Sequence, residues 1–361
     1  MRDLVVLVTG CGSQGAYGVI KSFRVNGERN IHVLGVDVDP FIANRYMVNE
    51  FYIAPRRNTP EFMPFIMDLT ARKAVDVIYP VPTSELEMFA AGREEFESQG
   101  QRVVVSSLES LKTANNKGRL FQWMEREGVP STPRFHIVKS WDELESAAYD
   151  LGYPGRRVCF KPPFSTGSQG FRILDTKVDR LTLLLYANPT STWMTLDELA
   201  RILKSADPFP ELVVMEYLPG DEFDVDVLAL NGKSLCIIPR RNQTMWYGMS
   251  LICKTEPHTE IMMMSDQIVA SLGLSYVVSL SFKLDANGHA KIIEINPRIP
   301  GSIISATMAG VNMPYLAVKL ALGESVEIPP VQWGRQMIRY WEEIFVSPEG
   351  ELLKPISTGQ I

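Results

Sequence analysis

The first hundred residues alternate short apolar runs with amphipathic segments. Strands are expected at 4–8, 31–38, 52–55, 75–82 and 101–107, and helices at 15–26, 60–73 and 85–100. Short apolar strands that alternate with helices and short loops are typical of a parallel sheet covered on both faces. The pattern therefore predicts an α/β unit that ends near residue 110.

The pattern changes after residue 110. A helix-rich connector leads into a mixed segment, and from about 213 longer alternating strands follow, with a helix at 260–272, a hairpin at 277–296 and a last strand at 337–346. Asn287-Gly288 is a strong two-residue turn signal within the hairpin. We expect three parts, at 1–110, 111–212 and 213–361, in which an α/β domain precedes an α+β domain of two lobes.

The first strand runs into the glycine-rich turn VTGCGSQG, from Val8 to Gly15. Its glycine spacing, G-x-G-x-x-G, and the later Asp37 fit a dinucleotide-binding turn in a Rossmann-like domain. The same glycines also serve packing alone, because they let a helix approach its strand closely. The sequence offers no catalytic histidine or lysine beside a substrate-binding arginine, so an NAD-dependent enzyme is the weaker interpretation.

Composition narrows the class of protein. The net charge of −6 and pI near 5.5 argue against a nucleic-acid partner. We find no secretion signal and no apolar run long enough to span a membrane. The four cysteines form no C-x-x-C pair and the four histidines show no metal-ligand spacing. We therefore expect buried, reduced thiols and a cytoplasmic protein without a membrane partner.

Two stretches carry residues suited to binding phosphate. Lys117 opens an amphipathic helix, and Lys161 ends an apolar strand in FKPPFSTGSQG. An unpaired buried lysine is costly, which favours a functional role for Lys161. Small residues after it would let the backbone close over phosphate oxygens; they are Ser165, Thr166, Gly167, Ser168 and Gly170.

Two later stretches complete the set. In VVMEYLPGDEF, residues Glu216, Tyr217 and Leu218 could present backbone groups to an adenine edge, and Glu222 could bind ribose hydroxyls. In IIEINPRIPGS, Glu294 and Asn296 alternate on a strand and share a face, as ligands of Mg²⁺ would. Arg298 follows on that face and could hold a phosphoryl or carboxylate group. Asp224 and Asp226 also alternate, and we interpret them as structural.

Taken in order, these stretches resemble the ATP-grasp superfamily, and above all its carbamoyl-phosphate-synthase-like carboxylate–amine ligases. The resemblance covers nearly the whole chain and includes the glycine turn, because these proteins carry a Rossmann-like pre-ATP-grasp domain. It implies that ATP and Mg²⁺, or Mn²⁺, are cofactors. It also implies that a carboxylate is activated as an acyl phosphate and joined to an amine or ammonia. We expect small-molecule substrates and allow for a homodimer.

Carried over by position, the resemblance implies a role for each residue. Lys117, Lys161 and the 165–170 loop would contact phosphates, 216–218 would hold adenine and Glu222 the ribose. Glu294 and Asn296 would bind the metal ion, and Arg298 would meet the transferred phosphate or the acid. The candidates for substrate binding are Glu85, Arg241, Gly301 and Ser302.

The sequence departs from the family pattern before the metal-binding acid. Ser281 stands where a Gln or Glu usually supplies a second metal ligand, and Ser275-Tyr276 stands where Gly-Pro is frequent. The number of metal ions and the identities of the acid and amine stay open. Two alternatives also stay open, a carbamoyl-phosphate-synthase-like enzyme that acts on bicarbonate or carbamate, and a non-catalytic nucleotide-binding protein.

Overall fold

The N-terminal unit is a five-stranded parallel sheet. The computed structural model describes residues 2–165, 169–186, 192–246 and 248–353. The elements of the unit are β1 (Leu4–Thr9), α1 (Gln14–Arg24), β2 (Ile31–Asp37), β3 (Glu50–Ile53), α2 (Phe62–Arg72), β4 (Val77–Pro80), α3 (Leu86–Ala91), α4 (Arg93–Ser98) and β5 (Arg102–Val103). The strand order is β3-β2-β1-β4-β5.

Alternate residues of β1 enter cores on opposite faces of this sheet. Val6 and Val8 belong to a core that includes residues of α1, whereas Leu7 belongs to one that includes residues of α2 and α3. The predicted parallel α/β sheet is confirmed. The helix expected at 85–100 is instead two helices separated at Gly92, a residue with low helix propensity, and the strand expected at 101–107 is only two residues long.

The second unit contains a mixed sheet. Helices α5 (Leu108–Ala114) and α6 (Lys117–Arg126) connect the first unit to it, and Ser107 and Asn116 cap their N-termini. Its elements are β6 (Phe135–Val138), α7 (Trp141–Asp150), β7 (Val158–Lys161), β8 (Arg172–Leu174), α8 (Arg180–Tyr186), β9 (Trp193–Met194), α9 (Leu196–Leu203) and β10 (Leu212–Glu216). The strand order is β6-β10-β7-β8-β9.

The expected boundary between 212 and 213 falls inside β10, which pairs with both β6 and β7. Splitting this strand would break the sheet. We therefore propose that the boundary between the lobes lies after β10, at 217–221.

The third unit is built on a six-stranded sheet. Its elements are β11 (Glu222–Leu230), β12 (Lys233–Trp246), β13 (Met249–Thr255), α10 (Thr259–Ser271), β14 (Tyr276–Leu284), β15 (Ala290–Asn296), α11 (Ile304–Met308), α12 (Met313–Ala321) and β16 (Gln336–Ile338). The strand order is β15-β14-β11-β12-β13-β16. The expected hairpin is present as β14 and β15.

Two details of this unit differ from the sequence prediction. The hairpin connection spans 285–289, where the Asp285 carboxylate accepts hydrogen bonds from the backbone N–H groups of Asn287 and His289. The strand expected at 337–346 is wrong beyond Ile338. Large apolar side chains from Tyr340 onward are exposed, so no buried face continues the strand.

The first and third units share a hydrophobic core. Residues of β1 and α1 pack in one cluster with Ile299, Ile303 and residues of α12. A Cβ at Gly18 would lie 2.7 Å from Cγ2 of Ile303, so this glycine permits the close approach of α1. Among the described residues, no helix combines the length and apolarity that crossing a bilayer requires.

Candidate active site

A cleft of about 910 Å³ opens where all three units meet, within the size range of small-molecule sites. It brings together most residues proposed from the sequence. Those that line it are Lys117, Lys161, Ser165, Glu216, Tyr217, Leu218, Glu222, Glu294, Asn296, Arg298, Gly301 and Ser302.

Two lysines flank the carboxylate of Glu294 on the cleft floor. The Nζ of Lys117 lies 3.3 Å from Oε2 of Glu294, and the Nζ of Lys161 donates a 2.7 Å hydrogen bond to the carbonyl of Ile293. Burial lowers the pKa of Lys161 to about 8, although the charge of Glu294 opposes this. Burial opposes ionisation of Glu294, but Lys117 and Lys161 hold its pKa below the usual carboxyl value. Glu294 is thus ionised and Lys161 is mainly protonated at neutral pH.

Oxygen atoms form a row across three neighbouring strands. Asp224 on β11 pairs in register with Ser281 on β14, which pairs with Glu294 on β15. The hydroxyl of Ser281 donates a 2.8 Å hydrogen bond to Oδ1 of Asp224. Asn296, two residues along β15, donates from Nδ2 to Oε1 of Glu294 at 2.9 Å. These oxygens are hard donors of the kind that bind Mg²⁺.

The charges behind this row are paired. Arg240 is fully buried and donates two 2.9 Å hydrogen bonds to the carboxylate of Asp226, and its Nη1 lies 3.5 Å from Asp224. Burial, reinforced by Asp224, raises the pKa of Glu222 to about 7, while Lys283, 3.7 Å away, opposes the rise. Negative groups therefore crowd this end of the cleft.

The segment proposed to hold adenine forms one wall of the cleft. The side chain of Glu216 accepts a hydrogen bond from the backbone N–H of Arg134 at 2.9 Å. Tyr217 lies 6.3 Å from Trp193 between ring centroids. Leu218 is buried in a hydrophobic core to which both the second and the third unit contribute.

Of the expected phosphate loop at 165–170, the structure describes the two ends, Ser165 and residues 169–170. Ser165 lines the cleft, and its carbonyl accepts a 3.1 Å hydrogen bond from Nζ of Lys117. Gly170 has a positive φ of 73° and would place a Cβ 2.6 Å from Pro162, so its role is in the turn, outside the cleft lining. Thr166, Gly167 and Ser168 lie outside the described residues.

The glycine turn faces the cleft and also packs the first unit. Gly10 has a φ of 56°, and Gly15 would place a Cβ 3.0 Å from Val81 and 3.2 Å from Ile299. Asp37, which a dinucleotide site would use for ribose, accepts a 2.7 Å hydrogen bond from the backbone N–H of Gly12. This carboxylate therefore supports the turn itself.

Arg298 joins the first unit to the third. Its Nε donates a 2.9 Å hydrogen bond to Oγ1 of Thr83, and its Nη2 donates a 3.2 Å bond to Oδ1 of Asn296. Burial lowers its pKa, but guanidinium remains charged at any ordinary pH. Gly301 and Ser302 follow on the same wall.

Glu85 and Arg241 are not among the residues that line the cleft. Glu85 is buried and accepts a 2.5 Å hydrogen bond from Oγ1 of Thr9, and burial raises its pKa to about 7. Arg241 pairs with Asp221 and Glu256. Alternation on β12 directs neighbouring side chains to opposite faces, so Arg240 enters the interior and Arg241 does not.

Several cleft residues were missed from the sequence, among them Asp224, Arg57 and Thr83, which carry polar or charged groups. Asp224 lines the cleft, so its role is not only structural, and the alternation that it shares with Glu222 is the signal that could have found it. Arg57 and Thr83 follow β3 and β4. Loops at the carboxyl ends of parallel strands commonly form ligand sites, which is the signal that could have found them.

Two family models match separate parts of the chain. Residues 208–343 match "ATP-grasp in the biosynthetic pathway with Ter operon", and residues 6–104 match "PylC-like, N-terminal domain". The chain is also similar to carbamoyl phosphate synthase large chains. That of Pseudarthrobacter chlorophenolicus is 23% identical over 341 residues, 90% of this chain. That of Methanothermobacter thermautotrophicus is 22% identical over 246 residues, 62% of this chain. The chain spans only 29% and 20% of these relatives.

Solved structures share the fold along most of the chain. The biotin carboxylase domain of Hydrogenobacter thermophilus 2-oxoglutarate carboxylase, with MgADP and bicarbonate, has a TM-score of 0.68 and 17% identity, covering 97% of this chain and 83% of that one. The Staphylococcus aureus N5-carboxyaminoimidazole synthetase gives 0.64 and 15%, covering 91% and 80%. The Bacillus licheniformis L-amino acid ligase gives 0.61 and 17%, covering 89% and 75%.

Proposed function

We propose that the chain is a member of the ATP-grasp superfamily and an ATP- and Mg²⁺-dependent ligase that joins a carboxylate to an amine or ammonia. The observation that carries the proposal is the arrangement of two lysines around one carboxylate on the floor of the cleft. Lys117 pairs with Glu294, and Lys161 is hydrogen-bonded to the backbone immediately before it. Cations beside a metal-binding acid suit a nucleotide triphosphate.

The row of oxygens fits a divalent ion. Glu294, Asn296 and Asp224 supply carboxylate and amide oxygens at the cleft surface, and phosphates and water would complete the coordination shell. We propose Mg²⁺, with Mn²⁺ as the alternative ion. When bound, it would neutralise charge on the transferring phosphoryl group. Asp224 would compensate for Ser281, whose hydroxyl is a weaker ligand than the carboxylate or amide usual at its position.

The proposed reaction has two steps. An oxygen of the substrate carboxylate attacks the γ-phosphorus of ATP, the bond from that phosphorus to the β–γ bridging oxygen breaks, and ADP leaves. The nitrogen of a neutral amine then attacks the acyl carbon. The bond from that carbon to the phosphate oxygen breaks, inorganic phosphate leaves, and the nitrogen loses one proton to solvent.

The residues of the chain would act by position and charge. Lys161 and Arg298 are held by hydrogen bonds before any ligand arrives, so they could stabilise developing phosphoryl charge without reorganising. Lys117 would contact the same phosphates. We place adenine against 216–218 and the ribose near Glu222. A homodimer and a cytoplasmic location remain parts of this proposal.

The test is release of ADP from Mg-ATP, screened against pairs of amino acids, small acids and ammonia. Release should depend on one acid–amine pair, and Lys161→Ala should reduce it by about a hundred- to a thousandfold. Lys112→Ala, which changes an exposed lysine of α5, is the matched control and should behave as wild type. Thermal melting of both variants checks folding.

Other outcomes would point elsewhere. Saturable Mg-ATP binding without stimulation by any pair would favour a non-catalytic nucleotide-binding protein. Stimulation by bicarbonate and ammonia would favour the carbamoyl-phosphate-synthase-like alternative. Equal activity of wild type and Lys161→Ala would contradict the proposed site.

A further inference from the structure

The end of the cleft beside the glycine turn has an unusual charge balance. We define the turn-side half as the lining residues Gly12–Gly15, Arg57, Val81–Ser84 and Arg298–Ser302. Its charged side chains are two arginines, and it contains no carboxylate. The opposite end, by contrast, contains four carboxylates, those of Glu216, Glu222, Asp224 and Glu294, of which the last three are the basis of the proposed metal and ribose contacts.

The two arginines of the turn-side half differ in the number of hydrogen bonds that they make to other residues. Arg298 is fixed by three hydrogen bonds, to Thr83, Asn296 and the carbonyl of Ile299. Arg57, in the loop after β3, is exposed and makes no hydrogen bond or ion pair with any residue in the described part of the chain. An exposed guanidinium that donates no hydrogen bond to a described residue, at the wall of a cleft, is a binding group for an anion.

The two acids behind this half are engaged by other groups. Asp37 accepts hydrogen bonds from the backbone N–H groups of Gly12 and Asp39. Glu85 is buried and accepts from Thr9, and the nearby charge of Arg57 opposes the rise that burial causes in its pKa. Neither carboxylate lines the cleft, so neither is positioned to hold a substrate ammonium group there. The first turn of α1, which begins at Gln14, adds the positive end of a helix dipole to the same wall.

We propose that the turn-side half binds an acid with two anionic groups. One carboxylate would lie near Arg298, where it meets the nucleotide and is activated. The second group, a carboxylate or a phosphate, would be bound by Arg57. This inference rests on the proposed ligase function and names the class of its acid substrate. Arg57 is then the residue that distinguishes dianionic from monoanionic acids.

The test compares acids that differ by one charge. Succinate, glutarate and L-glutamate are titrated by calorimetry into the chain with a non-hydrolysable Mg-ATP analogue. Butyrate, valerate and L-glutamine serve as counterparts of matched length. O-phospho-L-serine provides the phosphate arm, so that the two kinds of second anion are separated. At least one dianion should bind more tightly than its counterpart.

Two adjacent arginines provide matched variants. Arg57→Gln should weaken binding of the preferred dianion by about ten- to a hundredfold, the range for loss of a hydrogen bond to a charged group. It should leave the counterpart unchanged. Arg56→Gln, which changes an exposed arginine outside the cleft lining, should bind both like wild type. In turnover, the loss should appear in KM with little change in kcat.

Three results would overturn the inference. Dianions that bind no more tightly than their counterparts, or not at all, would show that the half does not select two anionic groups. Equal weakening of both classes by Arg57→Gln would show that the second charge is not its target. Weakened binding of the Mg-ATP analogue alone would assign Arg57 to the triphosphate. Failure of the proposed function is distinguishable, because the analogue would then not bind wild type, or would bind while no acid–amine pair stimulates ADP release.

Discussion

The two ends of the cleft differ in how their charges are balanced. At the end opposite the turn-side half, the nucleotide end, three of the four lining carboxylates face a cation: Lys117 faces Glu294, Lys283 faces Glu222 and Arg240 faces Asp224. The fourth, Glu216, accepts a backbone hydrogen bond. In the turn-side half, Arg57 makes no ion pair with any residue that the structure describes, and no carboxylate is among the lining residues. A charged ligand therefore joins an existing network at one end and supplies the missing partner at the other.

The difference follows from the elements that build each end. The nucleotide end lies on long antiparallel strands, where alternation and register fix which side chains face the cleft. The turn-side half is made of loops and a helix start after parallel strands of the first unit, together with the loop after β15, and in loops side chains are less constrained by their neighbours. The end built on strands can hold a cosubstrate such as ATP in a fixed position, and the end built on loops can determine which acid binds.

The largest effect is expected from the buried arginine beneath the nucleotide end. Arg240→Ala should lower the free energy of unfolding by about 3–5 kcal/mol, because Asp226 would remain buried without its partner. Arg241→Ala, which removes partly exposed ion pairs at the next position, should cost about 1 kcal/mol or less. Chemical denaturation of the two variants measures the difference.

A double variant keeps this prediction testable if Arg240→Ala does not fold. Arg240→Met with Asp226→Leu removes both charges and should recover much of the lost stability, since a buried pair can be replaced by apolar residues at low cost. If Arg240→Ala and Arg241→Ala were equally stable, the buried pairing at the nucleotide end would not matter to the fold.

A smaller effect on the free energy of unfolding is expected from Glu85, behind the turn-side half, where a substitution should stabilise the protein at neutral pH. Glu85 has a pKa of about 7 in the folded chain against an ordinary 4.5, chiefly because it is buried. The folded state therefore favours the protonated form. The contribution of Glu85 to stability is fully present below pH 4.5 and is lost as pH rises through 7. The free energy of unfolding should fall by up to about 3 kcal/mol over this range.

Glu85→Gln should remove this pH dependence. The amide oxygen can still accept the hydrogen bond from Thr9, and no charge is buried at high pH. Relative to wild type, the variant should gain stability in urea between pH 5 and pH 8. Glu87→Gln, which changes an exposed acid on α3, is the control. A parallel pH profile for wild type and Glu85→Gln would refute the assignment.

The nucleotide end was largely predictable from the sequence. Glu294 and Asn296 share a face of β15 as their spacing predicts, and Lys161 ends a buried strand at the cleft. The sequence predicts only a structural role for Asp224, because alternation alone does not say which face of β11 meets the ligand. The register that places it beside Ser281 depends on β14, which comes more than fifty residues later.

The turn-side half was predictable only in part. The glycine spacing predicts where the turn lies. The packing role of the turn could not be predicted, because it depends on the close approach of Gly15 to Ile299, which is remote in sequence. Arg57 lies in a loop with no periodic pattern. The misplaced strand after Ile338 shows a related limit, since an apolar run predicts a strand only where a buried face receives it.

The most direct test of where the nucleotide binds is calorimetric titration of Mg-ATP and of NAD into wild type, Lys161→Ala and Arg57→Gln. The account predicts saturable Mg-ATP binding that is lost in Lys161→Ala and retained in Arg57→Gln, without binding of NAD. Binding of NAD to both wild type and Lys161→Ala, with no binding of Mg-ATP, would contradict it and return the glycine turn to a dinucleotide-binding role.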